Sequence, residues 1–418
     1  MGAPDSAGRP VLALVDALTT GALLARRAAA DHRIVHIRSR AGLPETFAAS
    51  LPVEVFAADL TYPVDPEGVT ARLAALEPVA VIAASEFGVE TADRLAARFG
   101  LRGNDPALSA ARRDKDLMMA ALVRAGVPAP RQHRSSDLGD LLSWRRERGL
   151  PRVVVKPLDS AGSEDVYACD TDEEIRAAYE AAIGKTNLML CPNEAVLVQE
   201  YLEGDEYVVN TVSRDGRHWI TDAWISRKRP AVTGDKRLIY DYEDLLDPDT
   251  PAAHALFPYV ERVLDALAVT DGPGHTELIL TPAGPRLLET GARVSGLANP
   301  VALTRCTGAD QVGLTLDCHT ADAPLLTARP PRYARREHAR CINLVAHRAL
   351  PLPTRELEAA FSRLPAFESS RFRTAEGTVT RPTVDLNSSP GVVFLVHRDP
   401  SEIERGYKAL REIEHELL

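Results

Sequence analysis

The first 105 residues alternate buried apolar runs with amphipathic segments, and this alternation restricts the fold more than any other feature of the chain. The stretch VLALVDALTTGALLARRAAADHRIVHIRSR predicts a strand, a turn at Gly21, an alanine-rich helix and a second strand from Ile34. The pattern recurs with a strand from Val79 to Ala84 and a helix from Val89 to Phe99. Strands that alternate with helices in this way indicate a parallel sheet with helices packed on its faces.

Two polar residues, Ser85 and Glu86, directly follow the predicted strand that ends at Ala84. In an open parallel sheet, ligands bind beyond the carboxyl ends of the strands. We therefore expect both side chains at the mouth of a binding site.

The charge and the apolar content of the chain exclude several classes of partner. Its 418 residues carry a formal net charge of −10, so the sequence lacks the basic surface that nucleic acids and anionic membranes require. No apolar run reaches about 18 residues, and the first ten residues lack the hydrophobic core of a secretion signal. We expect a cytoplasmic protein whose partners are small molecules, with neither a nucleic acid nor a membrane among them. The five cysteines lack CxxC spacing and are predicted to be reduced thiols.

The rest of the chain mixes helices with antiparallel strands. Residues 107–125 have a helical pattern, and Thr171 opens a capping box for a helix that runs to Ala182. A hairpin is predicted to turn at Asp215-Gly216. Near the C-terminus, GVVFLVH is predicted to be a strand, and an amphipathic helix follows it. The chain is therefore predicted to be multidomain, α/β at its N-terminus and α+β after it.

The sequence GHTELILTPAGPRLLETGAR predicts a β-hairpin that brings two carboxylates together. If the turn centres on Ala283, Glu277 and Glu289 lie directly opposite each other on one face. Facing carboxylates repel each other unless a cation lies between them, and Mg²⁺ shared with nucleotide phosphates would supply that charge. The alternative is a solvated hairpin face with two unrelated glutamates. The leucines of the hairpin would point the other way: Leu278, Leu280 and Leu288.

Arg293 lies four residues beyond Glu289. Beside a magnesium–phosphate site, its guanidinium could stabilise charge on a transferring phosphoryl group or on a tetrahedral intermediate. The alternative, in a chain rich in arginine, is an ordinary surface residue.

Lys156 ends an apolar run and precedes a loop of small residues in VVVKPLDSAGSEDV. The lysine could direct a compact charge at phosphate, and the small side chains would let backbone N–H groups close over a polyanion. The order is the reverse of the common P-loop, whose GxxxxGK[ST] motif the sequence lacks. The alternative is an ordinary junction between a strand and a loop. The loop residues are Ser160, Ala161, Gly162 and Ser163.

The stretch VLVQEYLEGDEYVV begins as an apolar strand and breaks into a charged segment. The break at Glu200, Tyr201 and Leu202 would expose backbone donors and acceptors suited to the edge of an adenine. Glu206 could accept hydrogen bonds from ribose hydroxyls. A bent strand with a charged exit is the alternative.

In this order, these segments resemble the ATP-grasp superfamily over about residues 1–330. The resemblance implies the ATP-grasp fold, with ATP and Mg²⁺, or Mn²⁺ in its place, as cofactors. It also implies a role for Lys115, which precedes the other motifs. We divide the chain into an N-terminal Rossmann-like domain (1–105), linking helices and a lid subdomain (106–202), a catalytic core subdomain (203–330) and a C-terminal α+β subdomain (331–418).

The resemblance implies a nucleotide site built from residues far apart in the chain. It assigns the nucleotide phosphates to Lys115, Lys156 and the loop 160–164, adenine to Glu200, Tyr201 and Leu202, ribose to Glu206, and Mg²⁺ to Glu277 and Glu289.

Within the superfamily, SEFGVETADRLAARFGL, GHTELILT, LLETGARVSG and GTVTRPTVDLNSSPGVVFLVHRD are most similar to the L-amino acid ligases that make dipeptides. This similarity implies that Glu86 helps to bind substrate, that His275 lies near the reacting groups and that Arg293 stabilises the intermediate. Leu297 is expected in the pocket lining. Many ATP-grasp enzymes carry asparagine two residues after the second glutamate, whereas this chain carries Gly291, which puts a third oxygen ligand of the metal in question.

The predicted activity is ATP-dependent joining of an amino-acid carboxylate to the amine of a second amino acid through an acyl phosphate, with release of ADP and phosphate. Catalysis is assigned to Lys156, His275 and Arg293. One alternative is a carboxylate–amine ligase of a specialised-metabolite pathway that uses a non-proteinogenic amine or a carrier. A carboxylase and a non-catalytic nucleotide-binding protein are weaker alternatives, and a homodimer is compatible with all of them.

Overall fold

The computed structural model describes residues 8–43, 45–160, 162, 164–231 and 238–418. The N-terminal sheet is parallel throughout. Its strands are ordered β3-β2-β1-β4. The elements of this part are β1 (Val11–Val15), α1 (Gly21–Ala28), β2 (Arg33–Arg38), α2 (Glu45–Ala48), β3 (Phe56–Thr61), α3 (Pro66–Ala75), β4 (Ala80–Ala83) and α4 (Val89–Arg98).

Both faces of this sheet are buried, as its continuous apolar strands predict. Helices α3 and α4 cover one face through side chains such as Leu73 and Leu95. Helix α1 covers the other, where Val294 and Val312 from a later part of the chain join the same core. This shared core fixes the carboxyl end of β4, and with it Glu86, against the segment that follows Arg293.

A small antiparallel sheet with strand order β5-β8-β6-β7 follows. The capping box predicted at Thr171 is present, since its side chain accepts from the N–H of Glu174 and the Glu174 carboxylate returns a bond to the cap. The elements are α5 (Lys115–Arg124), β5 (Gln132–Ser135), α6 (Leu138–Glu147), β6 (Val153–Pro157), β7 (Tyr167–Cys169), α7 (Asp172–Ala182) and β8 (Val196–Glu200).

An eight-stranded antiparallel sheet, ordered β13-β12-β9-β10-β11-β14-β16-β15, forms the largest layer. Its strands are β9 (Asp205–Arg214), β10 (Arg217–Pro230), β11 (Leu238–Leu245), β12 (Gly272–Thr281), β13 (Gly284–Gly291), β14 (His338–Asn343), β15 (Phe367–Phe372) and β16 (Gly391–His397). Its helices are α8 (Pro251–Ala266), α9 (Pro300–Thr307), α10 (Gln311–Cys318), α11 (Pro324–Thr327), α12 (Thr354–Phe361) and α13 (Pro400–Leu417). Because β11 pairs with β14, the sheet is continuous across residue 330, and the four-part division of the chain stays a prediction.

Two local predictions need correction. The helix expected over 107–125 begins only at Lys115, because Asp114 caps it by accepting from the two N–H groups that follow Lys115. In the predicted hairpin, Leu287 rather than Leu288 packs in the core. The hairpin turns tightly between Thr281 and Gly284, and an irregularity in register then restores the expected pairing of the glutamates.

In the described part of the chain, no helix is both long and apolar enough to cross a membrane.

A fully buried arginine joins the N-terminal sheet to the large layer. Arg112 is 0% exposed; it donates to the Asp93 carboxylate on α4 at 2.7 Å and to the Leu267 carbonyl oxygen beyond α8 at 2.8 Å. Burial raises the pKa of Asp93, against the lowering effect of the Arg112 charge. A buried charged pair, Arg112 and Asp93, therefore helps to hold the N-terminal sheet against the large layer.

We expect Arg112→Met to lower the free energy of unfolding by about 3–5 kcal/mol, because it leaves Asp93 buried without its cation. Denaturant unfolding followed by circular dichroism measures the change. The double variant Arg112→Met/Asp93→Asn should recover part of the loss. Arg94→Met, on the exposed side of α4, is the control and should stay within about 0.5 kcal/mol of the wild type. An equal, small effect of both single variants would contradict the role of the pair.

Candidate active site

A cleft opens where the N-terminal sheet, the small sheet and the large sheet meet. Its floor is the hairpin β12–β13, its rear wall is the segment before α5, and its roof is the loop after β6. The lining residues are Glu86, Arg112, Arg113, Lys115, Met118, Asp159, Ser160, His275, Glu289, Thr290, Gly291 and Arg293. Seven of these, Glu86, Lys115, Ser160, His275, Glu289, Gly291 and Arg293, were singled out from the sequence.

Glu277 and Glu289 are paired directly across the hairpin, as the sequence predicts. Each already has a partner: Lys115 Nζ lies 2.5 Å from Glu289 Oε2, and His275 Nε2 lies 3.2 Å from Glu277 Oε1. Burial raises the pKa of Glu277, but the hydrogen bond with His275 and the nearby cations outweigh burial and lower this pKa overall. Burial lowers the pKa of Lys115, but the Glu289 carboxylate outweighs burial and raises this pKa overall. Each of the two carboxylates is therefore held by a basic side chain of its own, Glu289 by Lys115 and Glu277 by His275.

The two carboxylates fit a magnesium site shared with a polyphosphate. Among the described residues, no three His, Cys, Asp or Glu side chains form a metal-binding group. Mg²⁺ is usually held by one or two carboxylates and completes its shell with water and phosphate oxygens. Glu277 and Glu289 could hold it in that way, and Lys115 would then be released towards phosphate.

A close contact with the Glu86 side chain accounts for the glycine at position 291. A Cβ at this position would lie 2.5 Å from Glu86 Oε2, so the Glu86 side chain occupies the space that an asparagine would need. Glu86 in turn accepts from Arg293 Nε at 2.9 Å. Where many ATP-grasp enzymes have an asparagine, this chain therefore has a glycine beside the ion pair of Glu86 and Arg293.

Arg113 is a residue of the cleft that sequence reasoning missed. It donates two hydrogen bonds to the Asp159 carboxylate, at 2.8 and 3.0 Å, and one to the Glu86 carbonyl oxygen at 2.5 Å. Asp159, also missed, follows β6 by two residues. Charges alternate along Asp159, Arg113, Glu86 and Arg293, so the loop after β6 is tied to the substrate end of the cleft. The only sequence signal was the closeness of Arg113 to Lys115.

A buried network orients His275. Its Nδ1 lies 2.8 Å from Asn210 Oδ1, and the Asn210 amide donates to Asp222 Oδ1 at 2.6 Å. Asp222 also accepts from the indole N–H of Trp224 at 2.6 Å. The Asn210 amide nitrogen donates to Asp222, so the amide oxygen of Asn210 faces the His275 ring. The other ring nitrogen of His275, Nε2, therefore points towards Glu277.

Lys156, the last residue but one of β6, has a buried side chain, and its Nζ donates to Gln199 Oε1 at 3.1 Å. Burial and the charge of Lys115 lower the pKa of Lys156 to about 8. In the loop that follows, Ser160 donates to Glu164. Gly162 has a φ of +68°, and a Cβ there would lie 2.8 Å from Asn387 Oδ1. The predicted loop residues Ala161 and Ser163 lie outside the described residues.

The predicted nucleotide-base segment lies apart from the lining of the cleft. The carboxylate of Glu200 accepts from Arg131, while Tyr201 is exposed after the end of β8 and Leu202 follows it. Glu206 at the start of β9 accepts from Lys228 Nζ and from the Tyr240 hydroxyl, both at 2.7 Å. Leu297 is half-buried and packs against the main core.

Comparison with known proteins identifies the family and the fold. Residues 150–300 match the family model of the ATP-grasp domain. Dapdiamide A synthase of Enterobacter agglomerans is 30% identical over 421 residues, which cover 97% of this chain and 96% of that protein. The L-arginine-specific L-amino acid ligase of Bacillus subtilis is 22% identical over 218 residues, 52% of this chain and 51% of its own. The crystal structure of L-amino acid ligase from Bacillus licheniformis shares the fold, with a TM-score of 0.75 and 17% identity over 97% of both chains.

The fold is therefore that of ATP-grasp enzymes, as the sequence predicts. With a relative of 30% identity along nearly its full length, the chain belongs to the ATP-grasp family of carboxylate–amine ligases. It is an ATP-dependent ligase that forms a C–N bond, and enzymes of this family use ATP, typically with Mg²⁺.

Proposed function

We propose that the protein activates the carboxylate of an amino acid, or of an acid that resembles one, and joins it to the amine of a second amino acid. The single observation that carries this proposal is the cleft itself, where the facing Glu277 and Glu289 lie next to Lys115 and to the Arg293–Glu86 pair. A non-catalytic protein has no reason to keep two facing carboxylates and the cations that balance them.

In the first step, a substrate carboxylate oxygen attacks the γ-phosphorus of ATP, and the bond to the leaving ADP breaks. Lys115 and Lys156 neutralise charge on the phosphates. Mg²⁺ held by Glu277 and Glu289 would supply further charge neutralisation. The loop after β6 excludes water, which would otherwise hydrolyse the acyl phosphate.

In the second step, the amine nitrogen attacks the acyl carbon, a proton leaves the nitrogen, and the bond from the acyl carbon to the phosphate oxygen breaks. Arg293 stabilises the oxyanion of the tetrahedral intermediate. Glu86 holds Arg293 in place and lies where a substrate ammonium group could bind. Phosphate and the amide are the products.

A second candidate is a carboxylate–amine ligase of a specialised-metabolite pathway, in which a non-proteinogenic amine or a carrier takes the place of a standard amino acid. The observation that favours it is the similarity to dapdiamide A synthase over 97% of the chain.

The test is phosphate release from ATP on addition of pools of L-amino acids with Mg²⁺, with mass spectrometry of the products. Release of ADP and phosphate with a new dipeptide mass supports the first candidate. Phosphate release or amide formation only when a non-proteinogenic amine or a carrier is added to the amino acids supports the second. Absence of ATP binding contradicts both.

ATP binding at about pH 8.5 should take up a fraction of a proton, because the phosphates return the depressed pKa of Lys156 towards its ordinary value. Calorimetric titrations in two buffers of different ionisation enthalpy measure the uptake. Lys156→Met should abolish it, and Lys408→Met, on the exposed surface of α13, should not. The same proton uptake in Lys156→Met would show that Lys156 does not bind the phosphates.

A further inference from the structure

Two arginines lie at the far edge of the large sheet. Arg371 lies on β15 and Arg373 follows it; within the described part of the chain, neither forms an ion pair with a carboxylate. Each donates to one backbone oxygen, Arg371 Nη2 to Gly296 at 2.8 Å and Arg373 Nη1 to Ser389 at 3.2 Å. Most of their N–H donors are therefore free for a ligand.

The strand register places Arg371 on the active-site face of the sheet. One row of paired residues crosses the sheet from β15 to β12, and residues two apart on a strand share a face. Arg371 is two residues from the first member of this row, and Glu277 is two residues from the last. The row is Ser369, Phe394, Cys341, Glu243, Ser226, Glu206 and Ile279.

The hydrogen bonds of the two arginines connect them to both sides of the cleft. Gly296, which accepts from Arg371, lies between Arg293 and Leu297 in the segment at the substrate end. Ser389, which accepts from Arg373, belongs to a C-terminal loop whose Asn387 touches Gly162 in the loop after β6. Arg371 is thus bonded to the segment that follows Arg293, and Arg373 to the C-terminal loop that touches Gly162.

The electrostatics of the pair favour an anionic ligand. Both side chains reach solvent, yet burial and the adjacent Arg371 charge lower the pKa of Arg373 to about 10. Two neighbouring cations without a counter-ion repel each other, and a carboxylate between them removes that cost. A guanidinium binds a carboxylate through two parallel hydrogen bonds, which also fixes its orientation.

We propose that Arg371 and Arg373 bind the α-carboxylate of the amine-donating amino acid, an inference that rests on the proposed function. The nucleotide phosphates have their own cations in Lys115 and Lys156, so the α-carboxylate is the substrate anion left to be neutralised. Held there, the amino acid directs its nitrogen towards Arg293 and the acyl phosphate. The enzyme would accordingly select free amino acids over simple amines.

The test compares an amino acid that serves as the amine donor with its carboxamide, which keeps the nucleophile and loses the negative charge. We expect Arg371→Met and Arg373→Met each to raise the KM of the amino acid about 10- to 100-fold, since charged hydrogen bonds are lost. The KM of the carboxamide and that of ATP should stay unchanged. Arg371→Lys should recover part of the affinity. Arg363→Met, an exposed arginine just after α12, is the matched control.

Each outcome has a distinct meaning. Equal losses for the amino acid and the carboxamide, or no loss for either, overturn the inference while the proposed function stands. A raised KM for ATP overturns it in favour of a phosphate site. If the wild type forms no amide with any amino acid as donor, the proposed function fails and the inference fails with it. Circular dichroism melting of each variant checks that a loss does not come from unfolding.

Discussion

Glu289→Gln is expected to lower Mg²⁺-dependent ATP turnover by a factor of about 10³ or more, because it removes one of only two carboxylates that face each other in the cleft. The substitution keeps the size of the side chain and its place on β13. It removes the negative charge that a divalent cation needs and that Lys115 now neutralises. Coupled measurement of ADP release at saturating substrates gives the loss.

The fold should tolerate this change, since Glu289 is only partly buried and belongs to no apolar core. The melting temperature should stay close to that of the wild type, because the Glu277 carboxylate still stabilises the buried charge of Lys115. Metal-free ATP binding should also survive, because Lys115 loses a competing anion. Glu358→Gln, on the exposed face of α12, is the control and should turn over ATP normally. Unchanged turnover in Glu289→Gln would remove the metal assignment.

Arg293→Met is expected to lower kcat for amide formation by about 10²- to 10³-fold, the usual cost of removing one donor to a developing oxyanion. The KM for ATP should change little, because Lys115 and Lys156 remain. If Arg293 acts mainly on the tetrahedral intermediate, the acyl phosphate still forms and part of it reacts with water. The ratio of phosphate released to amide formed should therefore rise above that of the wild type.

Two further variants make the Arg293 prediction specific. Arg293→Lys keeps a charge near Glu86 and should recover part of the rate. Arg305→Met, an exposed arginine on α9, should leave both the rate and the product ratio unchanged. A rate loss in Arg293→Met that comes entirely from a higher KM for the amine would instead make Arg293 a binding residue.

Local rules predicted much of the fold and part of the site. The strand–helix alternation before residue 105 and the capping box at Thr171 depend on neighbours in the chain, and both are confirmed. The pairing of Glu277 with Glu289 followed from the period of a strand and the length of one turn. The same logic gave Leu288 the wrong face, because an irregularity in register depends on the packing of the whole sheet.

Local rules could not predict contacts between residues that are distant in the chain. Arg113 and Asp159 come from different parts of the molecule, and apart from the closeness of Arg113 to Lys115, nothing in the chain around them distinguishes them from surface charges. That Arg371 and Arg373 form no ion pair with any described carboxylate is likewise a property of the assembled sheet.

By itself, the sequence determined the class of fold and the chemical types of the active-site groups, because periodicity, capping and turn length act over a few residues. Only the tertiary structure decided which charges meet. It brought Lys115 to Glu289 and Arg293 to Glu86, filled the space beside Gly291, and set Arg371 on the face of Glu277. These contacts depend on how three sheets pack together, and packing brings together residues that no local pattern in the chain connects.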